Sequence, residues 1–437
     1  MSGTTQDETG TVPNDAGYAT RHNRDFLKLW AGETVSLLGT QVTALALPLV
    51  AVITLHASAA EVGVLNAFRY APFMLVTLIA GVLVDRQRRR PTMIVSNAAR
   101  AGLIALVPVA MFFDRLRVEY LYLVGFALGV FTVFFDLGYQ AYLPALVQRR
   151  LLTAANSRLQ MSASAAELGG PGLGGLLVQA LTAPYALAVD AASYLVSIIS
   201  LVLIRKREPE PTPADGEPLL AAVRGGFRFT FRNAYVRAIA GEAATFNLFE
   251  QTILTAFVVY AIRQLDFPAG LLGAVISTGA AGGLAGALLA GRLERRFGFG
   301  RTTVGSMVVA CVVPLLIALP AGSHWLTAGA LMIVFFVWGT GIAVSNVLVV
   351  SLRQTVTPDA MLGRMNASYR FFTFGAIPVG ALLGGALPGV IGLRATLVTG
   401  AAGLLLALAW VVFSPVASLR ALPERPDDVV LASEPLQ

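Results

Sequence analysis

Stretches of about 20 apolar residues alternate with short polar clusters along almost the whole chain. A helix rising 1.5 Å per residue needs ~20 residues to cross the ~30 Å hydrocarbon core of a bilayer. The pattern therefore predicts membrane-spanning helices over 26–55, 60–84, 91–113, 119–140, 157–181 and 184–204, and again over 236–262, 268–292, 301–320, 325–351, 365–389 and 392–414. These are twelve segments in two sets of six, an all-α membrane protein. Between the sets, 205–235 opens on Arg205-Lys206-Arg207 and passes through Pro209, Pro211 and Pro213. It closes on a basic amphipathic stretch with Arg224, Arg228 and Arg232. Such a segment is expected to be a linker followed by a helix lying on the membrane surface. The expected organisation is a polar tail over 1–25, a six-helix bundle over 26–204, the linker over 205–235, a second bundle over 236–414 and a polar tail over 415–437. Both tails are expected to be disordered, and 1–25 lacks the basic and apolar regions of a cleaved signal.

Composition agrees with the pattern: 56% of residues are hydrophobic and 13% charged, with a mean hydropathy of +0.71. The pI near 9.8 does not point to nucleic acid, because the arginines sit at the ends of apolar segments and not on a soluble basic face. Of the 32 Lys and Arg residues, 26 fall on one side of the predicted topology and four, Arg115, Arg117, Arg263 and Arg394, on the other. Positive charge is retained on the cytoplasmic side, so both termini are expected there, in a bacterial plasma (inner) membrane. Cys311 stands alone within an apolar segment and reads as a packing residue. The only lysines, Lys28 and Lys206, lie outside any phosphate-binding loop, which excludes an ATP-driven pump. His22, His56 and His324 are dispersed, so no catalytic or metal constellation can be assembled. Neither an enzyme nor a cofactor is expected.

A repeat emerges at a constant offset of 210 residues. Gly81 and Leu83 match Gly291 and Leu293, Gly129 matches Gly339, Asn156 matches Asn366, Gly170 matches Gly380, and Gly174-Gly175 matches Gly384-Gly385. The two halves are expected to be duplicates in parallel orientation, related by a pseudo-two-fold axis.

Between the second and third segments the chain reads Gly81-Val82-Leu83-Val84-Asp85-Arg86-Gln87-Arg88-Arg89-Arg90. The corresponding loop of the second half reads Gly291-Arg292-Leu293-Glu294-Arg295-Arg296-Phe297-Gly298. With the six-plus-six organisation over 26–414, these residues resemble the major facilitator superfamily, whose loop carries G-x-L-x-D-R-x-G-R-R/K. The second glycine is here Arg88, and the echo lacks the acid. The resemblance implies the major facilitator fold and a loop that latches the halves in the outward-facing state. Gly81 would give the close turn, with Asp85 as the latch acid and Arg86 and Arg89 as its basic partners. In the fifth segment, Gly170-Pro171-Gly172-Leu173-Gly174-Gly175 is similar to the G-P-x-x-G-G element of exporters in this superfamily. Its small residues permit close helix approach, and proline frees a carbonyl. Phe134-Phe135-Asp136-Leu137-Gly138-Tyr139-Gln140 and the residues after it resemble the drug:proton antiporter branch that includes macrolide, tetracycline and enterobactin exporters. The arginine that many of those relatives carry in the fourth segment is absent, since 121–135 contains no basic residue.

An ionisable side chain deep in the membrane costs at least ~2.5 kcal/mol and is expected to line a cavity, pair or exchange protons. Glu167, one turn before the Gly-Pro element, is the first candidate for a coupling acid. Glu250, Glu33, Glu242 and Asp136 lie in the segments that line the central cavity of the resembled fold, and Arg69 and Arg100 are the basic residues at depth. Asp190 is expected to be a structural partner. Phe131, Phe135, Phe246, Phe249, Trp338 and Asn346 are candidates for the cavity lining and favour an amphiphilic or hydrophobic small molecule. The function expected is export of such a compound, a drug, antibiotic or siderophore, in exchange for protons, by a monomer in the lipid bilayer. A gradient-driven nutrient importer or a lipid transporter of the same fold is the alternative.

Overall fold

A computed structural model describes residues 23–148, 151–206, 208, 219–319, 323–358 and 361–423, and its regular elements are all helical among these. The expected tails lie outside the described residues over 1–22 and 424–437, as does most of the proline-bearing linker. The first half comprises α1 (Arg24–Leu49), α2 (Ala59–Leu75), α3 (Thr77–Asp85), α4 (Arg89–Phe112), α5 (Val118–Leu146), α6 (Leu152–Leu181) and α7 (Ala183–Val202). After the linker helix α8 (Leu219–Arg232) come α9 (Ala234–Arg263), α10 (Ala269–Phe297), α11 (Phe299–Val312), α12 (His324–Thr355), α13 (Leu362–Ile391) and α14 (Leu393–Val412). Asn23 caps α1, its side chain accepting from the Phe26 N–H at 3.1 Å, and Ser58 and Glu61 form a reciprocal capping box on α2.

Among the described residues, ten helices are long and apolar enough to cross a membrane. The other two expected segments differ for physical reasons. Ala59–Asp85 is interrupted at Val76, which divides it into helices of 17 and nine residues, each too short to cross a membrane alone. Leu152–Leu181 is diluted by glycine, serine and Glu167, and it is packed between other helices.

The 210-residue offset seen in the sequence recurs in the backbone. His56 and Asp266 both take left-handed conformations, with φ of 52° and 51°, and Thr182 and Gly392 share φ of 72° and 82°. The Ala57 N–H donates to the Ala51 carbonyl as the Phe267 N–H does to that of Ala261. Packing follows the same offset. Gly129 backs onto the Arg69 carbonyl and Gly339 onto that of Gly279. Gly170 lies against Gln41, and Gly380 against Gln251. One pseudo-two-fold relation therefore carries α1–α7 onto α9–α14.

The halves meet through two equivalent helix pairs, α2 with α13 and α6 with α10. A Cβ on Gly63 would lie 2.7 Å from both the Gly385 Cα and the Ala381 carbonyl. In the other pair, Gly175 lies on the Ala269 carbonyl and Gly273 on that of Pro171. Contacts between the halves gather at the end away from the basic loops. There the Arg263 side chain donates to the carbonyls of His56, at 3.2 Å, and Ala57, at 2.5 Å. Asn66 donates to the Thr255 hydroxyl at 3.3 Å, and further along, Phe73 stacks on Phe374 at 5.9 Å. At the basic end, α8 rests on α13, with Phe227 5.5 Å from Phe371 and 5.0 Å from Phe372, and Phe231 5.5 Å from Phe372.

Two pairs of substitutions test these relations. Thr182, exposed, has φ 72° and ψ 158°, a region used almost only by glycine at a cost of ~1–3 kcal/mol for other residues. Thr182→Gly is expected to raise the thermal unfolding midpoint in detergent micelles, and Gly392→Thr, where φ is 82° with open space around it, to lower it. Within α6, Gly169 faces open space whereas Gly175 faces backbone. Gly169→Ala is expected to stabilise by ~0.5–1 kcal/mol through helix propensity, and Gly175→Ala to destabilise by more than about 1 kcal/mol through overpacking. Equal effects of the two alanines on the unfolding midpoint would contradict the close α6–α10 crossing.

Candidate functional site: a cavity between the halves

A cavity of about 540 Å³ lies between the halves, within the usual size of small-molecule sites. Gln41, Ser164, Glu167 and Pro171 line it from the first half, and Glu250, Phe335, Trp338 and Asn346 from the second. The Gly-Pro element positions the first wall. Gly170 and Gly174 bring α6 onto Gln41 and Val42 of α1, and Gly175 brings it onto α10. Pro171 has no N–H to donate to the carbonyl of Glu167, four residues back. The Gly172 N–H donates across the crossing to the Ser277 hydroxyl at 2.9 Å. Trp338 is 3% exposed, and its buried indole N–H has no hydrogen-bond partner among the described residues.

Two further cavities adjoin the first. One, of about 360 Å³, lies within the second half and shares Glu250, Ile342 and Asn346 with the central cavity. It adds Glu242, Phe246, Asn247, Arg353, Tyr369 and Arg370. The other, of about 200 Å³, shares Gln41 and Pro171 and contains Arg69. The Arg69 guanidinium donates to the Ala44 carbonyl at 3.3 Å and lies 5.6 Å from the Tyr70 ring. Glu167 and Glu250, chosen from different halves of the sequence, thus share one cavity, with Glu242 in its extension.

Glu33, Asp136 and Arg100 are assembled elsewhere, inside the first half. Arg100 is 3% exposed, its guanidinium between the rings of Phe135, at 4.4 Å, and Tyr194, at 4.3 Å. It donates to the Asn97 side chain, and its charge reaches Glu33, Asp136 and Asp190. Asp190, fully buried, accepts from the hydroxyls of Thr43 and, at 2.9 Å, Ser193. The anchoring rings and hydroxyls of Tyr194, Thr43 and Ser193 carry no sequence signal, because apolar helices use the same residues for ordinary packing.

Phe246, Trp338 and Asn346 line the connected cavities, whereas Phe135 packs in the first-half cluster. Phe131 lies in a groove with Pro91 and Val95, and the Phe249 ring is directed at Gly403 of α14. A helical face depends on rotation about the helix axis, which composition alone does not specify. Of the expected latch, Gly81 faces open space, Arg86 is exposed, and Asp85 ends α3 with its side chain outside those described. Arg89 instead engages Glu208: its N–H donates to one carboxylate oxygen at 2.8 Å, with its Nε 3.9 Å from the same oxygen. The Arg90 N–H donates to the other oxygen at 3.1 Å, while its side chain donates to the carbonyls of Leu201 and Val202. Glu208 thereby caps α4 at the end of the helix that favours negative charge. Its place after a basic run was the available signal.

Residues 16–434 match the family model described as transmembrane secretion effector. The chain is 27% identical over 371 residues to the enterobactin exporter EntS of Salmonella choleraesuis, covering 82% of this chain and 85% of the relative. It is 26% identical over 370 residues to the Escherichia coli enterobactin exporter EntS, covering 82% and 84%. Among solved structures, a bacterial homologue of the iron transporter ferroportin in its inward-facing state superimposes with a TM-score of 0.69 at 19% identity, over 89% of this chain and 98% of that one. The duplicated bundle, the cavity between its halves and the extent of the family match make the chain a member of the transmembrane secretion effector family of major facilitator transporters, a multi-pass membrane protein and not an enzyme.

Proposed function

We propose that the chain exports a small amphiphilic compound, such as a siderophore or drug, in exchange for protons, across the plasma membrane with its basic face in the cytoplasm. The observation that carries this proposal is the presence of Glu167 and Glu250, from opposite halves, on one cavity. Neither carboxylate has a hydrogen bond or ion pair among the described residues. A carboxyl without a protein partner is free to exchange a proton for a group of the substrate, and a carboxyl opened to one side at a time couples the two fluxes. The proline-bearing crossing of α6 with α10 supports rocking of the halves around that site. Export of a siderophore accords with the activity named for the enterobactin exporters, and a basic face in the cytoplasm accords with the distribution of arginine.

The substrate is found by a growth-inhibition screen over drugs and siderophores in a host deleted for its own exporters. In inside-out vesicles, that compound is expected to accumulate when an acidic interior is imposed and to be released by a protonophore. Accumulation indifferent to the pH gradient would falsify proton exchange. Glu167→Gln is expected to reduce pH-driven accumulation by more than about tenfold while leaving substrate–substrate counterflow. Unchanged accumulation in Glu167→Gln, with loss in Asp85→Asn, would instead move the coupling away from the cavity and leave the loop latch.

A further inference from the structure

The two halves are duplicates, yet the pocket inside each has diverged. In the first half the space among α4, α5 and α7 is filled by Arg100 between Phe135 and Tyr194. The residues 210 positions later are Ala310, Ser345 and Leu404, all buried and all smaller. At the corresponding place the second half opens into the cavity of about 360 Å³, with Ala310 and Ser345 on its wall. A packed membrane bundle that merely lost these side chains would close over the gap or forfeit the contacts of its lining.

The gap is also polar, with its charges sorted by wall. Glu242 and Glu250 come from α9, Arg353 from α12 and Arg370 from α13. The acids have no hydrogen bond among the described residues, and no ion pair joins any two of the four. Each arginine lies over a ring instead, Arg353 4.1 Å from the Tyr369 centroid and Arg370 5.3 Å from that of Phe374. The Arg353 side chain also donates to the Tyr369 hydroxyl, while its buried Nε has no hydrogen-bond partner among the described residues. Guanidinium groups do not give up their charge. Glu242 is buried, Glu250 and Arg353 are half-buried, and Arg370 is exposed at the basic end, where its charge also reaches Asp136 of the first half. The cavity therefore presents both signs of charge to whatever enters it. A purely anionic ligand would meet the acidic wall, and a purely cationic one the basic wall. A ligand of zero net charge with separated ends matches both.

We propose that the second-half cavity is the subsite for a zwitterionic, amino-acid-like or peptide-like head group. Its ammonium lies towards Glu242 and Glu250 and its acidic group towards Arg353 and Arg370, while its apolar body extends past Asn346 to Trp338 in the central cavity. This deepens the proposed transport of an amphiphile and rests on it for the presence of a substrate, but it is independent of the direction of transport and of the coupling ion.

Three probes with the same fluorophore test the head group on the purified full-length chain in detergent: Nε-dansyl-lysine (zwitterion), dansylcadaverine (cation) and dansylglycine (anion). The zwitterion is expected to bind at least about tenfold more tightly than either other probe. Glu242→Gln is expected to remove its advantage over the anion, and Arg353→Gln its advantage over the cation. Ser345→Phe, which installs the first half's residue, is expected to abolish binding of all three. Equal affinities for the three probes, no binding of any, or a uniform loss across them in both charge variants would overturn the proposal. Head-group selectivity without pH-driven accumulation would sink the exchange proposal alone. The reverse result would sink the subsite alone.

Discussion

Backbone-to-backbone approach at the α6–α10 and α2–α13 crossings is the constraint on which the molecule depends. In a lipid environment apolar side chains gain little by leaving the solvent, so helices associate through close packing and bonds that small residues permit. Gly175, Gly273, Gly63 and Gly385 supply that approach at positions related by the 210-residue offset. Because the two crossings are equivalent, the halves join symmetrically at one end, and the cavity containing Glu167 and Glu250 lies beneath the join. The Gly-Pro element serves two purposes at once: it lets α6 touch two helices, and it places a proline, which leaves a carbonyl without its helical donor, one turn after a carboxylate.

Much of the architecture was legible because membrane insertion, helix length and duplication all leave periodic marks. Ten spans, the amphipathic α8 and the pseudo-symmetry required no side-chain geometry. The interrupted second segment shows the limit of hydropathy, since the turn at Val76 divides the helix without changing the apolar run. Site residues were legible as a set but not as an arrangement. Glu167 and Glu250 stand out as acids in apolar sequence, but only helix rotation decides that they share a cavity while Glu33 and Asp136 gather around Arg100. The same rotation takes Phe249 to α14 and Phe131 to the groove with Pro91 and Val95. Glu208 escaped notice because an acid in a proline-bearing linker has no helical context, and its role as a cap depends on α4 beginning nearby in space.

Duplication also gives the two halves different electrostatic interiors on a common backbone. The first half closes its pocket with an arginine held by rings, amides and hydroxyls, and Asp136 there feels both Arg100 and Arg370 of the second half. In the second half the equivalent volume stays open and its charges face the space. Asp136 and Asn346, 210 residues apart, mark this divergence: the former is drawn into the ionic cluster, the latter stands where two cavities join.

The anchoring of the linker at both of its ends has a mechanical consequence. Glu208 is bonded to the start of α4 in the first half, and α8 from Leu219 onward rests on α13 in the second. Residues 209–218 join those two points in the chain. Eleven chain steps span at most about 40 Å when fully drawn out, so this segment acts as a tether that caps the separation of the halves there. Lengthening it would relax a limit on the amplitude of rocking without altering any contact inside either bundle.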